Sequence, residues 1–202
     1  ADCYQKMAPY GASMDDKYMT LALKDYDKAI SLAPEDPYYY NNRGDFYNDI
    51  PAFYDRALED YETAIKIDND DFQTYRATYN RALVYGRQEK YELQIEEYTK
   101  AVKLMPNDPD VLYSRGYAYE KLEKYEDALV DFTQAIKLDS LNNDYYRARA
   151  GCYDNLNDYN NSQMDWTMAI NLAPKDKFDW RNYEFRAYSY MKNEKYDLAI
   201  AD

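Results

Sequence analysis

Five arginines stand at matching places along the 202-residue chain: Arg43, Arg81, Arg115, Arg149 and Arg186. An acid column runs beside them, Asp25, Asp60, Glu97, Asp131, Asp165 and Asp202. Arg81 is followed by Glu97, Arg115 by Asp131, Arg149 by Asp165 and Arg186 by Asp202, all at one constant separation. From Arg43 to Asp60 it is one position longer, because Pro51 lengthens the turn. Two chemistries suit this pattern. One is a ladder of guanidinium groups open to anions. The other is a set of ion pairs between antiparallel helices, in which positions at this separation lie at similar height. The second is the simpler reading, within a unit or to the next unit. Such a pair, if buried, fixes register more surely than it adds stability.

Other reactive constellations are missing. The chain has no histidine, so the commonest general base and metal ligand is absent. There is no Gly-rich phosphate loop and no His to partner a Ser or Cys nucleophile. With 38 acidic side chains, an apparent carboxylate pair carries no information. Asp68-Asn69-Asp70-Asp71 has the carboxylate density of a calcium loop but lacks its turn Gly and distal Glu, and reads as an inter-repeat turn. Cys3 and Cys152 cannot make a disulfide framework or a zinc ribbon. Cys152 shares a column with Phe46, Val84, Ala118 and Ser189 and reads as a packed thiol. Asn160-Asn161-Ser162 is a formal glycosylation triplet, meaningful only in a secreted chain. The expectation is a noncatalytic chain with no cofactor and no metal.

Charge narrows the partners. Twenty-five basic residues against 38 acidic ones give a net charge of −13, which repels nucleic acid and anionic lipid. No apolar run approaches the roughly 18 to 20 residues that span a bilayer. The expected partners are therefore proteins or peptides, with no nucleic acid and no membrane insertion. The compartment is not legible, though cysteine usage leans toward a cytoplasmic setting. With 5 Gly and 7 Pro, a turn-rich β-sandwich is a poor fit.

The elements that must position these residues come from an internal repeat. Ala29, Ala64, Ala101, Ala135 and Ala169 head matching segments, at a period of about 34 residues that is stretched most between Ala64 and Ala101. Between them lie Arg-small-x-x-aromatic segments such as Arg115-Gly116-Tyr117-Ala118-Tyr119. Both kinds carry apolar residues at three- and four-residue spacing, as amphipathic helices require. Leu112, Gly116 and Tyr119 share one helical face; Ala128, Phe132, Ala135 and Ile136 share another. A helix-turn-helix of about 34 residues cannot bury both faces alone, so neighbours must stack. The spacing predicts an all-α, right-handed superhelical solenoid of about five and a half antiparallel hairpins. It is expected as one domain over 1–202, with units near 1–36, 37–71, 72–108, 109–142, 143–176 and a truncated 177–202. In the first unit the second helix is expected from about Tyr18 to Leu32, and the first, containing Pro9, is degenerate. The chain begins without Met and stops partway through a helix. The expectation is an excised domain or processed form, with an open C-terminal end through which copies could self-associate.

The set Leu112, Gly116, Tyr119, Ala128, Phe132 and Ala135 resembles the tetratricopeptide repeat. It recurs as Tyr40, Gly44, Tyr47, Ala57, Tyr61 and Ala64, and as Tyr146, Ala150, Tyr153, Ser162, Trp166 and Ala169. Pro34, Pro106 and Pro174 fall just beyond second helices, as in that family. The resemblance covers roughly residues 15 to 202. Gln94 and Ser162 depart from its small Ala, and Thr78 from its large apolar residue. Three-residue insertions between Ala64 and Ala82, and between Ala169 and Ala187, are close to one helical turn. They imply a first helix lengthened by a turn, or else a longer loop, with Tyr75-Arg76 and Trp180-Arg181 at matching places.

Most of the 27 tyrosines fall in framework columns, among them Tyr47, Tyr85, Tyr119, Tyr153 and Tyr190. The resemblance implies that first-helix residues facing away from the second helix line a concave, peptide-binding groove. These are Tyr38, Asn41, Asp45 and Asn48; Arg76, Tyr79 and Leu83; Tyr113, Tyr117 and Glu120; Asp144, Arg147 and Asp154; and Arg181, Glu184 and Tyr188. The family's clamp for a C-terminal carboxylate needs lysines that Asn41/Asp45, Asn80 and Asp110/Ser114 do not supply, which argues against an acidic chaperone tail. The expected function is a protein-protein interaction scaffold. The alternative is a regulatory or substrate-presenting segment of a larger enzyme.

Overall fold

Where a helix begins and ends is written in the short connections. In the computed structural model, which describes residues 16–67, 70–174 and 180–202, α1 spans Asp16–Leu32 and α2 Pro37–Asn48. A 3-10 turn at Pro51–Phe53 leads to α3 (Tyr54–Ile67), followed by α4 (Asp71–Arg87) and α5 (Tyr91–Leu104). Then come α6 (Pro109–Lys121), α7 (Tyr125–Leu138), α8 (Asn143–Asn155), α9 (Tyr159–Leu172), α10 (Trp180–Lys192) and α11 (Tyr196–Ala201). No strand occurs among the described residues. The expected all-α architecture of paired helices is what forms. The degenerate first helix of the N-terminal unit, with Cys3 and Pro9, lies outside the described residues, as do Asp68 and Asn69.

First helices start on acid or amide caps. Asp36 accepts from Tyr38 N, Asp70 from Phe72 N and Gln73 N, Asp108 from Asp110 N and Asn142 from Asp144 N. These bonds satisfy backbone donors that the helix itself leaves open. Pro37 and Pro109 sit at the first helical turn, where a missing N–H costs nothing. Asp70, from the acid run, is therefore a helix cap.

The turn inside each later hairpin depends on one residue in the left-handed region: Glu89, Glu123, Asn157 and Glu194, with φ of 59°, 57°, 60° and 58°. Non-glycine residues occupy this region at a cost of roughly 1–2 kcal/mol, partly offset by the chain entropy glycine would add to the unfolded state. Glu123→Gly should therefore stabilise the chain by about 0.5 kcal/mol, while Glu123→Val should destabilise it by more than about 1 kcal/mol. Denaturant midpoints of the two variants check this; a Val variant as stable as the parent would contradict it.

The first insertion lengthens a helix. α4 has 17 residues against 13 in α6 and α8, and the extra turn is Asp71–Thr74. The residues of the second insertion, just before Trp180, lie outside the described residues; α10 is described from Trp180 onward. Tyr75 and Trp180 sit at corresponding register, Tyr75 just beyond the added turn.

The helices group into two compact units, one ending at Leu104 and one beginning at Met105. In the first, Tyr26, Phe46, Tyr61, Ala57, Ala64 and Val84 form one apolar core. In the second, Ala128, Phe132 and Cys152 are fully buried together, with Tyr113, Tyr119 and Tyr125 packed against them. The two small residues of the repeat allow this closeness. A Cβ at Gly116 would stand 2.7 Å from the Phe132 ring, and one at Gly44 2.7 Å from Tyr61. The departure at Gln94 has a local answer: its buried amide fills the space a Cβ at Gly86 would need, 2.3 Å away. Thr78 is buried and donates its hydroxyl to Thr74 O at 2.8 Å.

Candidate functional site

The arginine column forms ion pairs, not an open ladder. Arg115 Nε and Nη2 donate to Asp131 at 2.8 and 2.7 Å, and Arg149 to Asp165 at 2.7 and 2.8 Å. Arg43 grips Asp60 the same way at 2.8 and 2.7 Å. Arg81 pairs with Glu97 and Arg186 with Asp202. A further guanidinium nitrogen reaches the preceding hairpin: Arg43 to Asp27 at 2.6 Å, Arg149 to Thr133 and Arg186 to Thr167, both at 3.1 Å. Framework tyrosines cover the guanidinium planes, with Arg149 5.9 Å from the Tyr146 and Tyr153 ring centres. Each arginine therefore joins the helices of its own hairpin, and Arg43, Arg149 and Arg186 also tie it to the one before.

On the first-helix face, the two units differ. Between α2 and α4 the expected groove residues are bonded to one another. Asp45 accepts from Tyr61 OH at 2.8 Å, from Asn80 Nδ2 at 2.6 Å and from Arg76. Arg76 also donates to Asn42 Oδ1 at 2.8 Å and lies over the exposed Tyr38 ring. Asn41 is fully buried and donates to Gln73 O and Oε1 at 3.0 and 2.9 Å. Asn48, also buried, accepts from Arg87 through its Oδ1 at 3.0 Å. Asn41 and Asn48 thus join adjacent hairpins and do not line an open face. Tyr79 is half-buried against Tyr75 and Tyr98, and Leu83 is half-buried beside it in register.

Between α6 and α8 the face stays open. A concavity of about 230 Å³ is lined by Tyr113, Tyr117, Glu120, Asp144, Arg147, Ala148, Gly151 and Trp166. Tyr113 leans on Phe132 and Tyr145, ring centres 5.8 and 5.2 Å away. Burial, with Asp144 nearby, pushes its phenol above the ordinary range. Tyr117 is 44% exposed, with Lys121 Nζ 4.7 Å from its ring centre. Arg147 donates to Asp144 at 3.1 Å. Asp154, just beyond, accepts from Trp166 Nε1 at 2.9 Å through Oδ2, while its buried Oδ1 has no hydrogen-bond partner among the described residues. Arg181, Glu184 and Tyr188 on α10 are exposed.

The groove face implied by the resemblance included Tyr113, Tyr117, Glu120, Asp144 and Arg147, which line this concavity, but missed Gly151, Ala148 and Trp166. Gly151 holds the column of Asp45, Leu83, Tyr117 and Tyr188, and a glycine among bulky residues was the available signal. Trp166 hid because its column is otherwise core. Behind the site, Cys152 is fully buried. Burial, with Glu120 nearby, pushes its thiol up to about 12, which makes it unreactive.

A chain of stacked antiparallel hairpins with ion-paired registers and an open first-helix face is an all-α repeat protein. Among the described residues, no helix is long and apolar enough to cross a membrane. The profile of the tetratricopeptide repeat matches residues 109–140, and a second TPR repeat profile matches 82–123. Over residues 82–140 the chain is built of tetratricopeptide repeats. It is 31% identical over 108 residues to small glutamine-rich tetratricopeptide repeat-containing protein 2 of Mycosarcoma maydis, a match taking in 54% of this chain and 30% of that one. Over 91 residues it is 36% identical to serine/threonine-protein phosphatase 5 of Rattus norvegicus, covering 44% and 17%. The chain thus spans less than a third of either relative's length. Among solved structures, YrrB, described as a TPR protein with an unusual peptide-binding site, superposes with a TM-score of 0.74 at 21% identity over 87% of both chains. PilF of Pseudomonas aeruginosa does so with a TM-score of 0.73 at 16% identity, over 90% of this chain and 80% of that one. At these identities the likeness is one of fold.

Proposed function

We propose that the chain is a noncatalytic scaffold that holds an extended or helical peptide of a partner protein on its first-helix face. The observation that carries this reading is the open, tyrosine-walled concavity between α6 and α8, where the corresponding face between α2 and α4 is closed by its own hydrogen bonds. Exposed tyrosine supplies contact area with little rotamer entropy to lose, and a polar tip. YrrB, similar in fold, is described as having a peptide-binding site, which supports the same use here.

The test separates binding from folding. Tyr117→Ala should leave the melting curve nearly unchanged, because the ring is 44% exposed, and weaken a bound peptide by about 1–2 kcal/mol. Tyr119→Ala, which removes a half-buried ring lying over Arg115, should lower stability by roughly 2–3 kcal/mol and leave the affinity of the folded fraction unchanged. The peptide is obtained by panning a displayed random 12-mer library against the intact chain. If Tyr117→Ala melts early and binds normally, the face is structural.

A second reading has its own support. One relative is named a protein phosphatase, and the match takes in 17% of it. Under that reading this chain is the regulatory or substrate-presenting segment of a larger enzyme. An open reading frame encoding a catalytic domain beside these repeats would establish it.

A further inference from the structure

Gly151 lies in the interior of α8, within Asn143–Asn155, where glycine weakens a helix relative to alanine. Elsewhere in this fold a glycine has a packing reason: Gly44 and Gly116 each clear an aromatic ring. Gly151 has none. A Cβ built on it meets no atom within 4 Å, and the space it leaves is the floor of the concavity. Glu120 stands on the wall of that concavity and makes no hydrogen bond or ion pair among the described residues. Burial holds its carboxyl above the ordinary range although Lys121 is close. Asp154 holds the same register on the next first helix, with one oxygen on the Trp166 indole and the other buried and unpartnered among the described residues. Of the nearby cations, Arg147 is paired with Asp144 and Lys121 rests on the Tyr117 ring. The site therefore joins aromatic walls, a vacant floor and an unpaired, partly desolvated carboxylate. Such a carboxylate favours a cation that brings its own hydrogen-bond donors, and aromatic faces favour the same group.

We propose that the concavity around Gly151 receives a cationic side chain, arginine or lysine, of the partner peptide, its stem along Tyr113 and Tyr117 and its head at Glu120. Gly151 allows the peptide to approach the helix backbone. This specificity rests on the peptide-scaffold reading above and deepens it. A ligand engaging Arg147 through an acidic side chain is the competing outcome.

The Trp166 indole N–H gives a local readout, because the chain has only 2 Trp. Capped Gly-Arg-Gly and Gly-Lys-Gly peptides are titrated against the intact ¹⁵N-labelled chain, with Gly-citrulline-Gly and Gly-Glu-Gly as neutral and acidic controls. A single charged side chain in such a site corresponds to dissociation constants on the order of 1 mM. The expected result is a saturable shift of the Trp166 indole with the two cationic peptides alone. Glu120→Gln should weaken it about tenfold, and Gly151→Leu, which fills the floor, should abolish it with the fold intact by circular dichroism. No shift up to about 10 mM, or a shift as large with the citrulline or Glu peptide, overturns the proposal. The panned 12-mers separate the two levels. If they lose binding on Gly151→Leu but tolerate citrulline or norleucine at every basic position, the cation pocket falls and the scaffold reading stands. If Gly151→Leu, Glu120→Gln and Tyr117→Ala all leave them bound, both fall.

Discussion

Arg115→Met should destabilise the chain by roughly 3–5 kcal/mol, since it leaves the Asp131 carboxylate buried without its bidentate partner. The Asp131 side chain is 3% exposed and Arg115 17%, so water does little to replace the lost contact. The double variant Arg115→Met/Asp131→Leu should recover most of that loss. Breaking a buried pair is costly because one charge is stranded, whereas replacing both by apolar groups of similar volume is often neutral. Denaturant unfolding of the two single variants and the double closes the cycle. If the double variant is as unstable as Arg115→Met, the pair contributes more than mutual neutralisation, and the register argument needs its own test. Arg147, whose partner Asp144 is 54% exposed, makes the contrast: Arg147→Met should change stability by less than about 1 kcal/mol.

The second large effect is expected at the Gly116–Phe132 contact. Phe132→Ala removes a fully buried ring and should cost about 3–5 kcal/mol. Gly116→Ala places a methyl where 2.7 Å is available, and overpacking of this kind costs about 1–3 kcal/mol, even though alanine is the better helix former. Because the two changes meet in one space, they should not add. Gly116→Ala/Phe132→Leu should be more stable than the sum of its parts by about 0.5 kcal/mol or more. Strict additivity would show that the hairpin relaxes at this point instead of transmitting strain. Gly151→Ala is the informative neighbour: with nothing for its Cβ to meet, it should raise stability slightly, by the helix-propensity difference of up to about 1 kcal/mol.

These expectations rest on features of different legibility. The periodic columns were readable because burial in a repeat is imposed again in every unit. Ala57, Ala128 and Ser162 must all be small for the same reason, and each is fully buried. The Arg–acid pairing was readable because a constant separation survives only if the two positions meet across a turn. The groove residues were less legible. Asp45 and Glu120 both belong to the first-helix face, yet Asp45 is held by Tyr61, Asn80 and Arg76 while Glu120 is unpaired. The difference lies in residues far along the chain, on other helices, and no local pattern reports it. The insertions were ambiguous for a similar reason. Three added residues suit a helical turn or a loop equally well. In the first insertion the added residues form a helical turn of α4, capped by Asp70.

Local chemistry, then, determined which segments are helical, where caps and prolines bound them, which face each helix buries and which charges face each other across a hairpin. Those choices depend on neighbours within one or two turns and on a hairpin geometry repeated along the chain. Tertiary structure decided which parts of the first-helix face are closed by their own hydrogen bonds and which remain open. That outcome depends on whether long side chains such as Arg76, Asn80 and Arg87 reach across to the preceding hairpin, and on Gly151 supplying nothing that could. Side-chain reach between hairpins is a property of three-dimensional distance, and it separates two faces built from the same repeat.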